Sequence, residues 1–307
     1  SMKYKIVFLG TPIFAVPTLS SLHTNGYPIS CVFTQPPKKS NRGQKINKSP
    51  IHIAAEDLNV LVRTPSKIEL DKDFLKNLNV DLVVVVAYGQ IIPKSILELS
   101  KNGYINIHAS LLPKWRGAAP IQRSILNLEK TTGISIMKLN EKLDEGPVCN
   151  SYKLQINDNE NSESLSARLA HLSAEKILKK MDEILENKIE FVEQNHQNAT
   201  YAKKIEKIEG KINWNDDALK IIGKVNGLYP NPGAWFLFKN ERYKILKAEL
   251  LNIDGENGVV LDDELTVGCG QKALKILEIQ KQGKNVQKSK EFLLGSLIKR
   301  GSILENA

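Results

Sequence analysis

Two side chains suited to stabilising an oxyanion and transferring a proton lie two residues apart, at Asn106 and His108. On a β-strand this spacing points both side chains to the same face. An amide beside an imidazole at the end of a strand is able to stabilise an oxyanion and to move a proton. The alternative is a hydrogen-bonded structural pair, which the spacing by itself favours.

A carboxylate that could orient the histidine is available at Asp144, in the turn-like stretch 143–147. Histidines in acyl-transfer sites are commonly oriented by an acid. The alternative is that Asp144 begins a turn and bonds its own backbone, and the local sequence favours this simpler use. The candidate catalytic residues are therefore Asn106, His108 and Asp144. Their side chains can act together only if the fold brings Asp144 close to the other two.

A basic stretch without any acid occupies residues 35–50, QPPKKSNRGQKINKSP. Its cations are Lys38, Lys39, Arg42, Lys45 and Lys48. A loop of this length is usually functional or disordered. The composition favours a phosphate-rich partner, with salt-dependent affinity from each cation that meets a phosphate. A solvated loop without a partner is the alternative.

Composition limits the classes of protein that need consideration. The chain has 307 residues, 41% of them hydrophobic, and a formal net charge of +9. No apolar run approaches the roughly 18 residues of a membrane-spanning helix. The three cysteines are widely separated and have no metal-type spacing, so a disulfide framework or a thiolate metal site is not indicated. We expect a cytoplasmic protein with two domains.

The strands and helices that would position these residues can be predicted from the sequence, in which short aliphatic runs alternate with segments of helical periodicity. The run LVVVVA at 82–87 has no polar alternation, which indicates a strand covered on both faces, as in a parallel sheet. Ligands in such a sheet bind beyond the carboxyl ends of the strands. The turn after strand 5–9, GTPIF, lacks the glycine pattern of a dinucleotide site.

This pattern predicts a doubly wound, mostly parallel α/β domain over residues 1–188. Helices are predicted at 14–23, 71–78 and 165–185. Polar residues 189–212 are expected to form a linker. Short strand-like runs in 213–307, with a helix at 218–226, predict a small β-barrel of oligonucleotide-binding type.

Several segments, taken in order, resemble the 10-formyltetrahydrofolate-dependent formyltransferases, in particular the members that act on methionyl-tRNA. The segments are VFTQPPKKSNRGQK, VVVVAYGQIIP, NIHASLLPKWRGAAPIQRSI, TGISIMKLNEKLDEGP and NGLYPNPGAWF. The resemblance covers nearly the whole chain and implies formyl transfer to the α-amino group of methionine on initiator tRNA, for translation initiation. Where the family often has an Arg-Pro-Ala-Gly type run, this chain has Lys38-Lys39-Ser40.

The resemblance also implies roles for individual residues. Asn106, His108 and Asp144 match the catalytic trio of the group, without a metal. Residues matching the binding site for the co-substrate 10-formyltetrahydrofolate are Tyr88, Gly89, Ser110, Leu111, Leu112 and Pro113. Residues matching the loop that contacts the tRNA are Lys38, Lys39, Arg42 and Lys45. The resemblance gives the segment 213–307 a part in tRNA binding.

Two other functions are compatible with parts of this pattern. A formyltransferase acting on an amino-sugar nucleotide would share the trio and the folate loop, but it should need no basic insertion. A tRNA- or RNA-binding protein with an inactive transferase domain is a second alternative. The intact trio argues against that second alternative, and the basic stretch argues against the first.

Overall fold

The computed structural model describes residues 4–39 and 45–306. The strands of the first part of the chain are β1 (Ile6–Gly10), β2 (Ile29–Phe33), β3 (Lys38–Lys39), β4 (Ile46–Asn47), β5 (Val62–Arg63), β6 (Leu82–Val86), β7 (Tyr104–His108), β8 (Arg116–Gly117), β9 (Thr131–Lys138) and β10 (Val148–Gln155). The strands of the second part are β11 (Tyr201–Ala202), β12 (Ala234–Phe238), β13 (Glu241–Leu251), β14 (Thr266–Gly268), β15 (Ala273–Lys281) and β16 (Gln287–Lys288).

The α-helices are α1 (Val16–Thr24), α2 (Pro50–Asp57), α3 (Lys72–Leu78), α4 (Lys94–Leu97), α5 (Pro120–Leu126), α6 (Ser162–Leu185), α7 (Ala218–Gly227) and α8 (Ser289–Gly295). Short 3₁₀ helices cover Ile13–Ala15, Ile68–Asp71, His196–Asn198 and Lys207–Gly210. The predicted helices at 14–23, 71–78, 165–185 and 218–226 are confirmed, with small shifts at their ends. Among the described residues, no helix combines the length and the apolar character needed to cross a membrane.

A seven-stranded sheet organises the first part of the chain, in the order β10-β9-β7-β6-β1-β2-β5. Strand β1 pairs in parallel with β2 and β6, and β6 pairs in parallel with β7. Strand β9 pairs antiparallel to β7, so the sheet is mixed at that side. The predicted doubly wound, mostly parallel domain is confirmed. Strand β6 is buried along its whole length, as its uninterrupted valine run requires.

Helix α6 buries one stripe of its surface, as the spacing of its leucines predicts. Leu165, Leu169, Met181 and Leu185 are buried. Residues three or four apart on a helix lie on the same face, so these apolar side chains form one buried stripe. Hydrophobic burial, rather than helix propensity, therefore provides most of the stability of this long element.

The second part of the chain contains a five-stranded antiparallel sheet, in the order β12-β13-β15-β14 with β16 beside β15. The sheet curls into a half-barrel, which confirms a small β-domain of the predicted kind. Its core contains Trp214, Phe236, Tyr243 and Phe292. The rings of Phe236 and Tyr243 stack with centroids 5.4 Å apart, within the range of favourable aromatic pairs.

Contacts between Cα atoms divide the chain into two compact units that interleave along the sequence. The first unit comprises Ser1–Gly117, Thr132–Leu154 and Ser166–Tyr201. The second comprises Ala118–Thr131, Gln155–Leu165 and Ala202–Ala307. Two short segments from the middle of the chain therefore pack with the C-terminal sheet.

Candidate active site

Asn106 and His108 lie at the carboxyl end of β7, in the middle of the mixed sheet. Asn106 is opposite Val85 of β6 and Met137 of β9. Both polar side chains belong to buried residues. Since β6 and β7 are parallel neighbours, the turn that follows β6 lies at the same edge of the sheet.

The imidazole of His108 has a partner on each ring nitrogen. Its Nε2 donates a hydrogen bond of 2.8 Å to the carbonyl oxygen of Trp115, because a carbonyl only accepts. Its Nδ1 lies 3.7 Å from Oδ1 of Asp144, a distance for an ion pair rather than a direct hydrogen bond. The fold thus brings the remote Asp144 beside His108.

Asp144 is held by contacts with residues far from it in sequence. Its Oδ2 accepts a hydrogen bond of 2.8 Å from the backbone N–H of Gly117. Its backbone has a φ of 55°, in the left-handed region that non-glycine residues seldom adopt. The side chain therefore contacts distant elements, whereas a simple turn aspartate would bond the residues immediately after it.

The segment Ser110–Pro113 follows β7 and is held in place by hydrogen bonds. The Ser110 hydroxyl donates to the carbonyl of Lys114. Ser135 of β9 donates to the carbonyl of Ser110 at 2.7 Å and accepts from the N–H of Leu112 at 3.0 Å. These bonds attach the segment to the sheet beside His108, so its shape is set before any ligand arrives.

The turn after β6 is also fixed by hydrogen bonds. The carbonyl of Tyr88 accepts from Thr11 at 2.7 Å, and the carbonyl of Gly89 accepts from Gln35 at the same distance. Gly89 has a φ of 91°, which glycine adopts without strain. The turn thereby joins the ends of β1, β2 and β6.

The ring of Tyr88 packs inside a hydrophobic cluster with Val83, Phe33 and Tyr104. Burial raises the pKa of the Tyr88 phenol above its ordinary value. The hydroxyl oxygen is buried and has no hydrogen-bond partner among the described residues. Any ligand contact from this turn would therefore come from its backbone or from Gly89.

The described part of the basic stretch forms a small antiparallel ribbon. Lys38 pairs with Asn47, and Lys39 pairs with Ile46. Lys38, Lys39 and Lys45 are exposed. Arg42, the fourth predicted tRNA-binding residue, lies outside the described residues.

Two buried residues beside the trio did not stand out in the sequence as candidates. Arg116 is only 1% exposed, and Gln194 is buried in the stretch that the sequence predicted to be a linker. The two side chains form hydrogen bonds with each other. The only local signal is that Arg116 lies in the segment LLPKWRGAAP that follows the histidine.

The acidic, cysteine and histidine side chains of the described residues were compared with the requirements of a metal site and of a reactive thiol. Among residues 4–39 and 45–306, no group of three or more such side chains is arranged to hold a metal ion. Burial raises the pKa of the thiols of Cys31 and Cys269 to about 12. Thiols with such pKa values are poor nucleophiles near neutral pH.

Comparison with known proteins identifies both parts of the chain. Residues 4–181 match the formyl transferase family model, and residues 204–297 match the model of the formyl transferase C-terminal domain. An N-formyltransferase from Helicobacter canadensis, solved with folinic acid and dTDP-3-aminofucose, has a similar fold with a TM-score of 0.70. It is 21% identical, and the match covers 89% of this chain and 99% of that one.

Two relatives are similar over their whole length. The methionyl-tRNA formyltransferase of Pelagibacter ubique is 61% identical, over 99% of this chain and 100% of the relative. The methionyl-tRNA formyltransferase of Caulobacter vibrioides is 40% identical, over 98% of this chain and 99% of the relative. The chain therefore belongs to the methionyl-tRNA formyltransferase family.

Proposed function

We propose that this chain transfers the formyl group of 10-formyltetrahydrofolate to the α-amino group of methionine carried on initiator tRNA. The product, formylmethionyl-tRNA, would serve translation initiation, so we expect the reaction to take place in the cytoplasm. The observation that carries the proposal is the approach of Asp144 to His108 at 3.7 Å, beside Asn106 at the carboxyl end of β7.

In the proposed mechanism the neutral amine attacks the formyl carbon, and the carbonyl oxygen gains negative charge in the tetrahedral intermediate. The Asn106 amide donates a hydrogen bond to that oxygen, and the positive charge of a protonated His108, whose ring nitrogens face Trp115 and Asp144, stabilises it through space. Asp144 orients His108 and helps to remove the amine proton, through a water if the distance requires it. The carbon–nitrogen bond to N10 then breaks, and N10 takes up a proton.

Little activation of the nucleophile is required. An α-amino group has an ordinary pKa of about 7.7 to 8.0, so a substantial share is neutral near physiological pH. The main tasks of the protein are therefore to position the amine against the formyl group and to stabilise the oxyanion. Buried polar groups with fixed partners suit both tasks, because they need little reorganisation during the reaction.

We assign the folate donor to the edge formed by Ser110–Pro113 and the turn at Tyr88 and Gly89. The hydrogen bonds of Ser135 fix the first segment, and those of Thr11 and Gln35 fix the second. Family membership supports a folate-type donor for the chain, and the Helicobacter canadensis relative of similar fold was solved with folinic acid. Because the Tyr88 ring is in the core, we assign its contribution to backbone groups of the turn.

We assign the tRNA to two basic surfaces. The first is the ribbon with Lys38, Lys39 and Lys45, together with Arg42. The second lies in the domain 213–307, which follows the linker 189–212 and the catalytic domain 1–188. On that domain, Arg242 lies over the ring of Trp235 at 3.8 Å. The Trp235 ring is buried and Arg242 is exposed, so this pair offers RNA a guanidinium held in place for a phosphate.

A direct assay separates this proposal from the amino-sugar alternative. The purified chain is incubated with 10-formyltetrahydrofolate and charged initiator tRNA, and in parallel with a nucleotide-linked amino sugar. We expect formylation of the methionyl-tRNA alone. Formylation of the sugar in place of the tRNA would overturn the proposal. Uncharged tRNA serves as the control for the requirement for the α-amino group.

A further inference from the structure

We propose that Gln194, held by the buried guanidinium of Arg116, is a positioning residue for Asp144. This inference rests on the proposed function, because it concerns the same formyl-transfer site. Neither residue touches the reacting atoms in the proposed mechanism. Their effect on catalysis would pass through the place and orientation of the Asp144 carboxylate.

The amide of Gln194 joins the guanidinium to the backbone that carries Asp144. Its oxygen accepts hydrogen bonds from Nη2 and Nε of Arg116, at 2.9 and 3.2 Å. Its nitrogen donates to the carbonyls of Asp144 and Gly146, at 2.8 and 2.7 Å. The guanidinium only donates and the carbonyls only accept, so a single orientation of the amide satisfies all four bonds.

The guanidinium of Arg116 is itself fixed from several sides. Its Nη2 donates to Nδ1 of His196 at 2.7 Å, and its Nη1 lies 3.5 Å from the carboxylate of Glu145. A buried charge requires such partners, because burying it unpaired is costly. Arg116 is therefore restricted to one geometry, and it presents its N–H groups to Gln194 in that geometry.

The short segment Arg116–Gly117 thus fixes Asp144 at two points. Gly117 bonds the carboxylate directly, and Arg116 bonds the backbone through Gln194. Such support is needed because the left-handed backbone of Asp144 is sparsely populated and persists only when the surroundings impose it. The loop also passes close to β9, since a Cβ at Gly146 would lie 1.9 Å from the carbonyl oxygen of Lys138.

The test is the isosteric variant Gln194→Glu. A carboxylate in this place still accepts from Arg116, but it has no N–H for the carbonyls of Asp144 and Gly146. We expect kcat to fall by about tenfold to a hundredfold, the scale of a misplaced catalytic group. The KM values for folate and for tRNA should stay within about twofold, because the binding surfaces are unchanged.

A second variant and a matched control accompany it. Arg116→Lys keeps the buried charge but loses the fork that binds the Gln194 oxygen, and we expect the same fall in kcat. In the control Asn102→Ala, the chain loses a side-chain hydrogen bond of 2.9 Å to the carbonyl of Leu185. Asn102 precedes β7, at the edge opposite the site, so kcat should be unchanged. Thermal unfolding is recorded for each protein.

A double-mutant cycle separates positioning from general destabilisation. In the Asp144→Asn background, Gln194→Glu should change kcat by less than about twofold, because the group it positions is already lost. An equal loss of kcat in both backgrounds, or a kcat for Gln194→Glu equal to that of the parent, would overturn the inference. The parent protein, assayed alongside, tests the proposed function separately: if it forms no formylmethionyl-tRNA, the proposed function has failed instead.

Discussion

Replacement of Asp144 by asparagine tests the proposed mechanism most directly. The substitution keeps the size of the side chain and removes its charge. An asparagine oxygen can still accept from the N–H of Gly117, so the loop and the free energy of unfolding should change little. The change that remains is the loss of a negative charge 3.7 Å from Nδ1 of His108.

The size of the effect follows from that distance. At an effective dielectric constant of about 20, two unit charges 3.7 Å apart interact by about 4.5 kcal/mol. The amide dipole of an asparagine replaces part of this stabilisation of charge on the imidazole. If about 3 to 4 kcal/mol is lost in the transition state, kcat falls by about a hundredfold to a thousandfold.

The assay is single-turnover formylation of charged initiator tRNA at saturating folate, with folate binding measured separately by calorimetry. The matched control is Asp81→Asn. Asp81 also accepts a backbone N–H, from Lys5 at 2.8 Å, but it precedes β6 at the opposite edge of the sheet. If Asp144→Asn retains kcat within about threefold of the parent, an electrostatic role for Asp144 is refuted.

Two further predictions concern the partner and the stability of the chain. Joint replacement of Lys39, Arg42 and Lys45 by alanine should raise the KM for tRNA far more than the KM for folate. The logarithmic slope of tRNA affinity against salt concentration should also become shallower, by up to about one unit per lost phosphate contact. If both the slope and the KM for tRNA are unchanged, this loop has no part in tRNA binding. Glu209 accepts two hydrogen bonds from Arg123, at 2.6 and 3.1 Å, and these bonds hold the pKa of the Glu209 carboxyl below its ordinary value. A lowered folded-state pKa gives stability that is present above the unfolded pKa and is lost as pH falls through the folded value. Glu209→Gln should therefore lower the free energy of unfolding at pH 7 by about 1 kcal/mol. In unfolding measured at a series of pH values, the difference between the variant and the parent should disappear as the pH falls through the folded-state pKa of Glu209.

Local sequence patterns were sufficient to predict most of the secondary structure, because a partly buried strand or helix has hydrophobic residues at a regular spacing. The run of valines in β6 and the leucine spacing of α6 are examples, and both elements are confirmed. The antiparallel pairing of β9 with β7 was not predicted. Strand direction depends on how the chain returns to the sheet, and no single segment encodes it.

The sequence by itself determined the burial of β6 on both faces, the orientation of Asn106 and His108 to one face of a strand, and the charge of the 35–50 stretch. Each of these is a property of neighbouring residues. Only the tertiary structure decided that Asp144 lies beside His108, that the Tyr88 ring packs in the core, and that Gln194 in a polar stretch is buried. Arg116 and Gln194 meet across 78 positions of chain. Such contacts have no period in the sequence, because they form only when distant segments fold together and a buried charge must find its partners.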